Sequence, residues 1–402
     1  MKKLAKITQG LIGQPMFKLM AKIRKMEKAG KKIFHFEIGD SDFRAHQHII
    51  DATKEALDNG CTHYVDSAGI PELKEAICEY AHETLGFKPE LDQVVVMPAN
   101  GIIDFVMRCV ANPGEEVLYP DPGFSTYLAV TNYTGIKKVG VPIKEESKFH
   151  IQADAIEKRI TDKTRLIIVN SPQNPTGAVL TKEEMEAIAK VAKDNDTYLL
   201  SDEIYSKIIY DGEHFSPSSL DKCQERTIIL NGFAKNYSMP GWRLGYAIGP
   251  KEVIEKMGSL FQTIYSCTPP FIQYGGVSAL KGDQSVIEDR IRQYKSLRDL
   301  IVKKLNEIPG VSCCLPEGAC YVFANIKGTG MSSTQFADFA LEKCNVVLLP
   351  GTCFGEYGEG YIRLCYMRRP EIIEEACEKM KKVLMETKNM KVVKRNERLV
   401  NK

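Results

Sequence analysis

The sequence lacks the features that mark a membrane, secreted or nucleic-acid-binding protein. No apolar run approaches the roughly 18 residues that cross a bilayer. The basic amino terminus is followed by neither a hydrophobic block nor a small-residue cleavage site. Lys and Arg number 54 against 52 Asp and Glu, so the net charge of +2 gives no field that would concentrate nucleic acid. We therefore expect a cytoplasmic protein with no nucleic-acid or membrane partner.

The cysteines give no sign of metal or redox chemistry. There are twelve, they are scattered and form no C-x-x-C pair, and Cys313 and Cys314 are adjacent. This spacing indicates neither a disulfide framework nor a zinc site. A reactive thiol needs a base or a cation beside it, so we interpret most of them as buried apolar side chains and predict no metal site.

The alternation of apolar and polar segments predicts an α/β fold. With 402 residues, 44% of them apolar, the chain is long enough for two to three domains of about 150 residues each. Between residues 94 and 249, short apolar strands alternate with segments of helical period, which is typical of a parallel sheet covered on both faces. The sequence predicts a three-layer α/β/α large domain with a mostly parallel seven-stranded sheet. The predicted strands are residues 94–97, 116–119, 138–141, 165–169, 198–201, 227–230 and 244–248.

Both ends of the chain are predicted to form a second, smaller α+β domain. The predicted elements are helices over 14–31, from about 282 to 306 and over 370–386, and strands over 320–325 and 346–349. We expect residues 1–45 to be an amino-terminal arm and part of the small domain, 46–284 to be the large domain, and 285–402 to be the carboxyl-terminal small domain. The basic stretch 388–402 is interpreted as a frayed helix end or a solvated tail.

Polar residues follow five of the predicted strands. In open α/β sheets, ligands bind at the carboxyl ends of the strands, because loops and helix N-termini converge there. Packing alone does not explain polar residues at five such positions, so a site is expected along this edge. The segments are 100–101, 121–124, 170–177, 202–205 and 231–235.

Asp202 directly follows the apolar strand 198–201. An anion in a largely dry cleft is unstable unless a cation faces it. One alternative is Mg²⁺ in a nucleotide hydrolase, because Asp202 with Glu203 is similar to a Walker B site. The chain has no G-x-x-x-x-G-K-[ST] loop and no G-x-G-x-x-G fingerprint, which argues against nucleotide and dinucleotide sites. The other alternative is a protonated ring nitrogen.

Lys235 has the surroundings of a reactive amine. It follows the apolar strand 227–230, and Arg243 comes eight residues later. A partly desolvated lysine near another cation has a lowered pKa and can hold a carbonyl compound as a Schiff base. A lysine, an acid and an arginine together suit a pyridine aldehyde phosphate.

The order of these residues matches one family. Asn174-Pro-Thr-Gly177, Asp202-x-x-Tyr205, and Lys235 with Arg243 stand in the order found in the class I/II aminotransferases. The sequence resembles that family, the aspartate-aminotransferase-like pyridoxal-phosphate enzymes of fold type I, from about residue 33 to 366. Any one motif would be weak, but all of them in register are specific. The likeness includes Gly39-Asp-x-Asp42-Phe43, Pro350-Gly-x-x-Phe354-Gly and Tyr361-Ile-Arg363-Leu.

The resemblance implies roles around the ring of pyridoxal 5'-phosphate. Lys235 would bond the cofactor aldehyde and, once released by an amino-acid substrate, act as the catalytic base. Asp202 would hold the pyridine nitrogen protonated. Tyr205 and Asn174 would hydrogen-bond the phenolic oxygen of the ring, and Phe124 would lie on the ring face.

The resemblance also implies a phosphate site. Asn100 and Gly101 precede the predicted helix 102–111, whose free N–H groups would receive an anion, and Arg243 would add a charge-assisted fork.

Other phosphate contacts depart from the family pattern or come from a second subunit. Ala99 and Gly232 stand where relatives commonly have Ser or Thr. Tyr64 and Thr268 resemble residues that reach the phosphate of the neighbouring subunit, which implies a homodimer with shared active sites.

At the substrate end, the resemblance assigns Arg363 to the α-carboxylate, with Asn174 and the Gly39 backbone beside it. The loop after Gly39 departs from the family pattern, since Arg44 and His46 stand where relatives have other residues. One hypothesis is that Arg44 or His46 selects an anionic substrate side chain. A surface role is the favoured alternative.

The leading hypothesis is an aminotransferase that moves an amino group from an L-amino acid to a 2-oxo acid by a ping-pong route. One alternative keeps the cofactor and changes the bond that breaks, as in a β-lyase. Another is a non-catalytic, cofactor-binding effector domain, which is disfavoured because the lysine and both arginines are present. The specificity residues cannot be placed from the sequence.

Overall fold

The computed structural model describes residues 2–11, 13 and 15–400. The strands are β1 (Phe34–His35), β2 (Val94–Met97), β3 (Glu116–Asp121), β4 (Lys137–Pro142), β5 (Thr164–Asn170), β6 (Tyr198–Asp202), β7 (Thr227–Gly232), β8 (Gly245–Ile248), β9 (Tyr321–Asn325), β10 (Val346–Val347), β11 (Leu349–Pro350) and β12 (Tyr361–Cys365). The α-helices are α1 (Pro15–Lys28), α2 (Gln47–Asp58), α3 (Pro71–Leu85), α4 (Ala99–Val110), α5 (Ser125–Thr134), α6 (Ala153–Glu157), α7 (Lys182–Asp194), α8 (Ser218–Asp221), α9 (Phe233–Asn236), α10 (Lys251–Tyr265), α11 (Pro270–Lys281), α12 (Ser285–Asn306), α13 (Ser333–Cys344) and α14 (Pro370–Val400).

The large sheet has seven strands in the order β2-β8-β7-β6-β5-β3-β4. Strands β7, β6, β5, β3 and β4 run parallel to one another, and β8 is antiparallel to both of its neighbours. The prediction of a mostly parallel seven-stranded sheet is therefore confirmed. The carboxyl ends of β5, β6 and β7 lie side by side, which brings Asn170 opposite Asp202.

The sheet is buried on both faces because its apolar residues alternate between two layers of core. In β5, Leu166 and Ile168 pack into the core on one face, whereas Ile167 and Val169 pack into the core on the other. A strand that buries both faces reads as a continuous apolar run, which is why these strands are visible in the sequence.

Several strands are longer at their carboxyl ends than predicted. Strand β3 ends at Asp121, β5 at Asn170, β6 at Asp202 and β7 at Gly232. Polarity predicts where a loop begins, but the backbone of these polar residues still pairs with the next strand. The side chains of Asp121, Asn170 and Asp202 are therefore positioned by the sheet itself and not by a loop.

Two smaller sheets join the ends of the chain. Strand β1 pairs in parallel with β10, and β11, β12 and β9 form an antiparallel sheet. The predicted strand 346–349 is divided between these sheets, because the chain changes sheet after β10. The early part of the chain thus meets the carboxyl-terminal part, whereas the boundaries at 45/46 and 284/285 stay a prediction.

Three predicted helices have different ends in the structure. Helix α4 begins at Ala99, so Asn100 and Gly101 lie in its first turn and not before it. Helix α14 continues to Val400, because no Gly or Pro interrupts the stretch after residue 386. Its backbone thus continues through 388–400, and residues 401–402 of the predicted tail lie outside the described residues. Helix α1 spans Pro15–Lys28, and residue 14 of the predicted helix is likewise not described.

The amino-acid composition and the cysteines are ordinary for a globular α/β protein. The twelve cysteines are present as thiols and not as disulfides, and seven of them are buried. In the part of the chain that the structure describes, no helix combines the length and apolarity needed to cross a membrane.

His150 links the α7 side of the large sheet to the loop that precedes β9. The His150 Nδ1 atom lies 2.8 Å from Glu184 Oε2, and Nε2 lies 3.1 Å from Glu317 Oε2. The backbone N–H of Val179 and the more distant ammonium of Lys148 also face Glu317. Burial lowers the pKa of His150, but the hydrogen bond to Glu317 and the charge of Glu184 outweigh it and raise the pKa above its ordinary value of 6.5.

A histidine whose pKa is raised on folding stabilises the protein below its unfolded pKa, and that contribution is lost as the pH rises through its folded pKa. We expect His150→Gln to lower the urea midpoint more at about pH 6 than at about pH 8.5. The measurement is equilibrium unfolding of both proteins at both pH values. Other histidines, such as His35, contribute equally to both proteins. An equal decrease at the two pH values would contradict the account.

Candidate active site

One cavity of about 460 Å³ lies at the carboxyl ends of β5, β6 and β7 and reaches strands β9 and β12. It brings together most of the residues that the sequence predicts for the site. Those that line it are Gly39, Asn100, Phe124, Asn174, Asp202, Tyr205, Lys235, Arg243 and Arg363. Residues more than 300 positions apart in the sequence thus face the same space.

Several predicted residues do not line this cavity. Gly101 is in the first turn of α4 but is not part of the lining. The side chain of Tyr64 is 87% exposed. Thr268 is buried, and its hydroxyl donates to the Val96 carbonyl at 3.1 Å. Arg44 is exposed, and His46 lies at the N-terminus of α2 with its ring 4.8 Å from that of His48, so neither faces the cavity.

Asp202 ends β6 as a buried carboxylate that is only 3% exposed. Its Oδ2 accepts from the Tyr127 hydroxyl at 2.7 Å, and its Oδ1 accepts from the Ile204 backbone N–H at 3.3 Å. Burial raises the pKa of Asp202 to about 6, and the two hydrogen bonds oppose this rise. Among the residues that the structure describes, none forms an ion pair with this carboxylate. A cation that enters the cavity would therefore stabilise its charged form.

Asn170 positions both sides of this part of the site. Its Nδ2 donates to the Asp202 carbonyl at 2.9 Å, and its Oδ1 accepts from the Asn174 backbone N–H at 2.8 Å. The side chain of Asn170 therefore ties the end of β6 to the loop that carries Asn174. Asn170 belongs to the polar segment 170–177 noted in the sequence, but its position there does not distinguish it from its neighbours.

Lys235 lies in the short helix α9, directly after β7. Its Nζ donates to the Gly39 carbonyl, so the amine and the Gly39 backbone lie together in the cavity.

Ala99 and Gly232, the two phosphate-site positions that depart from the family pattern, belong to one tightly packed contact. A Cβ added at Gly232 would lie 3.0 Å from the Cα of Gly245, and one added at Gly245 would lie 2.9 Å from the Cβ of Ala99. Small residues at these positions let the start of α4 approach the ends of β7 and β8. Ala99 and Gly232 offer no side-chain donor, so the backbone N–H groups in the first turn of α4, which have no partner inside the helix, are the local donors for an anion.

Arg363 is held in β12 as a buried guanidinium that is 1% exposed. Its Nη1 donates to Asn174 Oδ1 at 3.1 Å, and Nη2 donates to the Glu37 carbonyl. The guanidinium also lies over the rings of Tyr321 and Phe354, at 4.4 and 4.7 Å from their centroids. In the described part of the chain, its buried Nε has no hydrogen-bond partner. This geometry suits a fork that receives a carboxylate.

Two tyrosines that contact predicted site residues, Tyr127 and Tyr321, are not predicted from the sequence. Tyr127 bonds Asp202, and the Tyr321 hydroxyl lies 2.8 Å from the Tyr205 hydroxyl. The signal for Tyr127 is its i, i+3 spacing from Phe124 at the start of α5, which places the two side chains together. Tyr321 could be found only from the pairing of β9 with β12, which a single sequence does not specify.

The chain matches the family model described as aminotransferase class I and II over residues 31–380. It is 42% identical over 361 residues to aromatic-amino-acid aminotransferase 2 of Thermococcus litoralis, which covers 89% of this chain and 92% of the relative. It is 41% identical over 363 residues to the aspartate aminotransferase of Pyrococcus abyssi, which covers 89% and 93%. The structure of the alanine aminotransferase from Pyrococcus furiosus superposes with a TM-score of 0.91 at 33% identity, covering 96% of this chain and all of that one (100%).

The fold and these matches define an enzyme of the aspartate-aminotransferase-like α/β class. The chain belongs to the class I and II aminotransferase family and is an aminotransferase, as the resemblance implied.

Gly39 is packed so closely that a side chain has no room. A Cβ at this position would lie 1.9 Å from the Tyr321 hydroxyl oxygen. We expect Gly39→Ala to lower the free energy of unfolding by about 1–3 kcal/mol and to displace the carbonyl that Lys235 contacts. The measurement is the denaturant midpoint together with kcat/KM.

Gly258→Ala in α10 is the matched control, because a Cβ there meets nothing within 4 Å. It should leave both quantities unchanged or raise the midpoint. Tyr321→Phe removes the nearest clashing atom, so the double variant should recover part of the loss in Gly39→Ala. Wild-type stability and kcat/KM in Gly39→Ala would refute the packing argument.

Proposed function

We propose that the enzyme transfers the amino group of an L-amino acid to a 2-oxo acid by a ping-pong route, with pyridoxal 5'-phosphate in the cavity. The single observation that carries this proposal is the meeting of the Lys235 amine, the buried carboxylate of Asp202 and the Arg363 fork in one space. Each of these groups suits a different part of the reactants.

The ring end of the cavity fits a cationic pyridine. Bound pyridoxal phosphate supplies an aldehyde for the amino group and a ring that takes up electrons from the substrate α-carbon. Asp202 would hold the ring nitrogen protonated, because it is buried and no ion pair with it is described. Tyr205 and Asn174 would bond the phenolic oxygen, and Phe124 would lie against the ring.

The phosphate end would be held by the start of α4 and by Arg243. Asn100 lines the cavity in the first turn of this 12-residue helix, where free N–H groups and the helix dipole favour an anion. Gly101 follows in the same turn. Arg243 faces the same cavity and is exposed enough to turn towards a phosphate.

The substrate end would be held by Arg363. Its fork would bind the α-carboxylate, with the Gly39 backbone on the other side. Lys235, which contacts the Gly39 carbonyl, would then move a proton at the substrate α-carbon.

We also propose that the enzyme is a homodimer that acts in the cytoplasm. The exposed Tyr64 supports the first point, because its side chain is free to reach the phosphate of a second subunit. Thr268 adds no support, since its hydroxyl bonds within its own chain. The cytoplasmic assignment rests on the composition, in which the spacing of the twelve cysteines indicates no disulfide framework.

Three relatives are named for three amino donors, aromatic amino acids, aspartate and alanine. A screen of the twenty amino acids against 2-oxoglutarate, pyruvate and oxaloacetate would identify the pair that this enzyme uses. Specificity is measured as the ratio of kcat/KM values.

The two half-reactions of the amino transfer can be tested separately. An amino acid alone should remove the visible absorption band of the holoenzyme, and a 2-oxo acid alone should restore it. Lys235→Ala should lose both responses and at least about 10²–10⁴-fold in kcat.

Lys304→Ala is the control, because Lys304 is a partly buried lysine that pairs with Glu378 and does not line the cavity. It should behave as the wild type does. Release of a 2-oxo acid and ammonia without an acceptor would favour a lyase instead, and full activity of Lys235→Ala would overturn the assignment of that lysine.

A further inference from the structure

Tyr321 is the first residue of β9 and lines the cavity with only 2% of its surface exposed. It pairs with Cys365 of β12, while Phe323 pairs with Arg363. Paired residues of antiparallel strands point to the same face, so Tyr321 is the diagonal neighbour of Arg363.

The ring of Tyr321 supports the arginine fork. The Arg363 guanidinium lies 4.4 Å from the centroid of this ring, and the ring of Phe354 is 4.7 Å away. Such contacts between a guanidinium and an aromatic face are strengthened when both groups are buried. The ring therefore restricts the orientations that Arg363 can adopt.

The hydroxyl of Tyr321 reaches the other side of the site. It lies against the backbone of Gly39, whose carbonyl accepts from Lys235. One side chain thus contacts the residue beside the amine as well as the arginine fork.

The same hydroxyl forms a pair with that of Tyr205. The two oxygens are 2.8 Å apart, and the rings meet edge to face with centroids 5.7 Å apart at 81°. Burial raises the pKa of both tyrosines well above the ordinary value of 10, so both keep their protons. If Tyr205 donates its proton to a ligand, its oxygen is left to accept from Tyr321.

We propose that Tyr321 is a positioning residue, which donates to Tyr205 so that the Tyr205 proton points into the cavity, and whose ring orients Arg363. The proposal rests on the proposed function, because the acceptor for Tyr205 is the phenolic oxygen of the cofactor. It assigns to Tyr321 two separable effects, one through its hydroxyl and one through its ring.

The hydroxyl effect has a definite direction. A hydroxyl that accepts a hydrogen bond becomes a stronger donor. Without the Tyr321 hydroxyl, Tyr205 donates more weakly, and the phenolic oxygen keeps more negative charge. That charge would hold the proton on the Lys235 nitrogen, once this nitrogen is bonded to the cofactor, more tightly. The visible absorption band of the bound cofactor should therefore change at a higher pH. If Tyr205 instead donates to Tyr321, the substitution frees its proton for the cofactor and the change moves to a lower pH.

The test is a spectroscopic pH titration of holoenzyme with Tyr321→Phe. We expect the midpoint to rise by up to about one pH unit, which is a tenfold change in proton affinity. The KM for the amino acid should stay within about twofold of wild type, because the ring remains. Tyr321→Leu, which removes the ring, should raise KM by roughly 2–30-fold. A wild-type KM in Tyr321→Leu would overturn the ring effect.

Tyr366→Phe is the matched control. Tyr366 is fully buried, and its hydroxyl oxygen lies 3.0 Å from both the Tyr210 hydroxyl and the Ala319 carbonyl, outside the cavity lining. Its removal should leave the titration unchanged.

In a Tyr205→Phe background, adding Tyr321→Phe should shift the titration no further, since both act through one hydrogen bond. Additive shifts would contradict the proposal. If Tyr321→Phe does not fold, 3-fluorotyrosine at position 321 keeps the shape and is a stronger donor, so the midpoint should fall.

The proposed cofactor and the proposed role of Tyr321 are contradicted by different results. If wild-type protein with pyridoxal phosphate shows no visible band, the proposed cofactor is wrong. If the wild type titrates and Tyr321→Phe titrates at the same or a lower pH, the role of Tyr321 is wrong and the proposed function stands.

Discussion

The buried carboxylate of Asp202 is the constraint around which the site is arranged. Removing an anion from water is costly, and the hydroxyl of Tyr127 and one backbone N–H compensate only in part, as the raised pKa shows. The described residues supply no ion-pair partner, so a cationic ligand would stabilise the charged form of this carboxylate. A protonated pyridine is such a cation, and the proposed function places one there.

The parallel sheet makes this arrangement possible. Adjacent parallel strands end at the same edge, so Asn170, Asp202 and the end of β7, just before Lys235, come together without a long connection. The antiparallel sheet then adds Tyr321 and Arg363 to the lining of the same cavity. In the proposed function, the ring and the substrate carboxylate would be held by residues of different sheets, which suits a site that holds two reactants in turn.

Much of this architecture can be read from one sequence, and the reason is physical. Strands such as β5 bury both faces and are written as apolar runs, and Asp202, Lys235 and Arg363 stand in motifs with fixed spacing. The start of α4 is misplaced because Pro98 and Ala99 carry no capping side chain to mark it. Element ends depend on backbone pairing, which polarity does not report.

The contacts between distant segments are what the sequence does not specify. Tyr321 meets Tyr205 and Arg363 only through strand register, and the packing of Ala99 against Gly245 explains an apparent departure only once the strands are in place. Neither contact has a local pattern. In the proposed function, both contacts would adjust the geometry of the site, whereas the motif residues would carry out the reaction.

In the proposed function, the Lys235 amine bonds to the aldehyde of pyridoxal phosphate. Borohydride reduction of the holoenzyme would make that bond permanent, and mass spectrometry of the digested protein would locate it. We expect one phosphopyridoxyl adduct, on the peptide that contains Lys235. An unmodified Lys235 peptide, with the adduct on another lysine or on none, would contradict it.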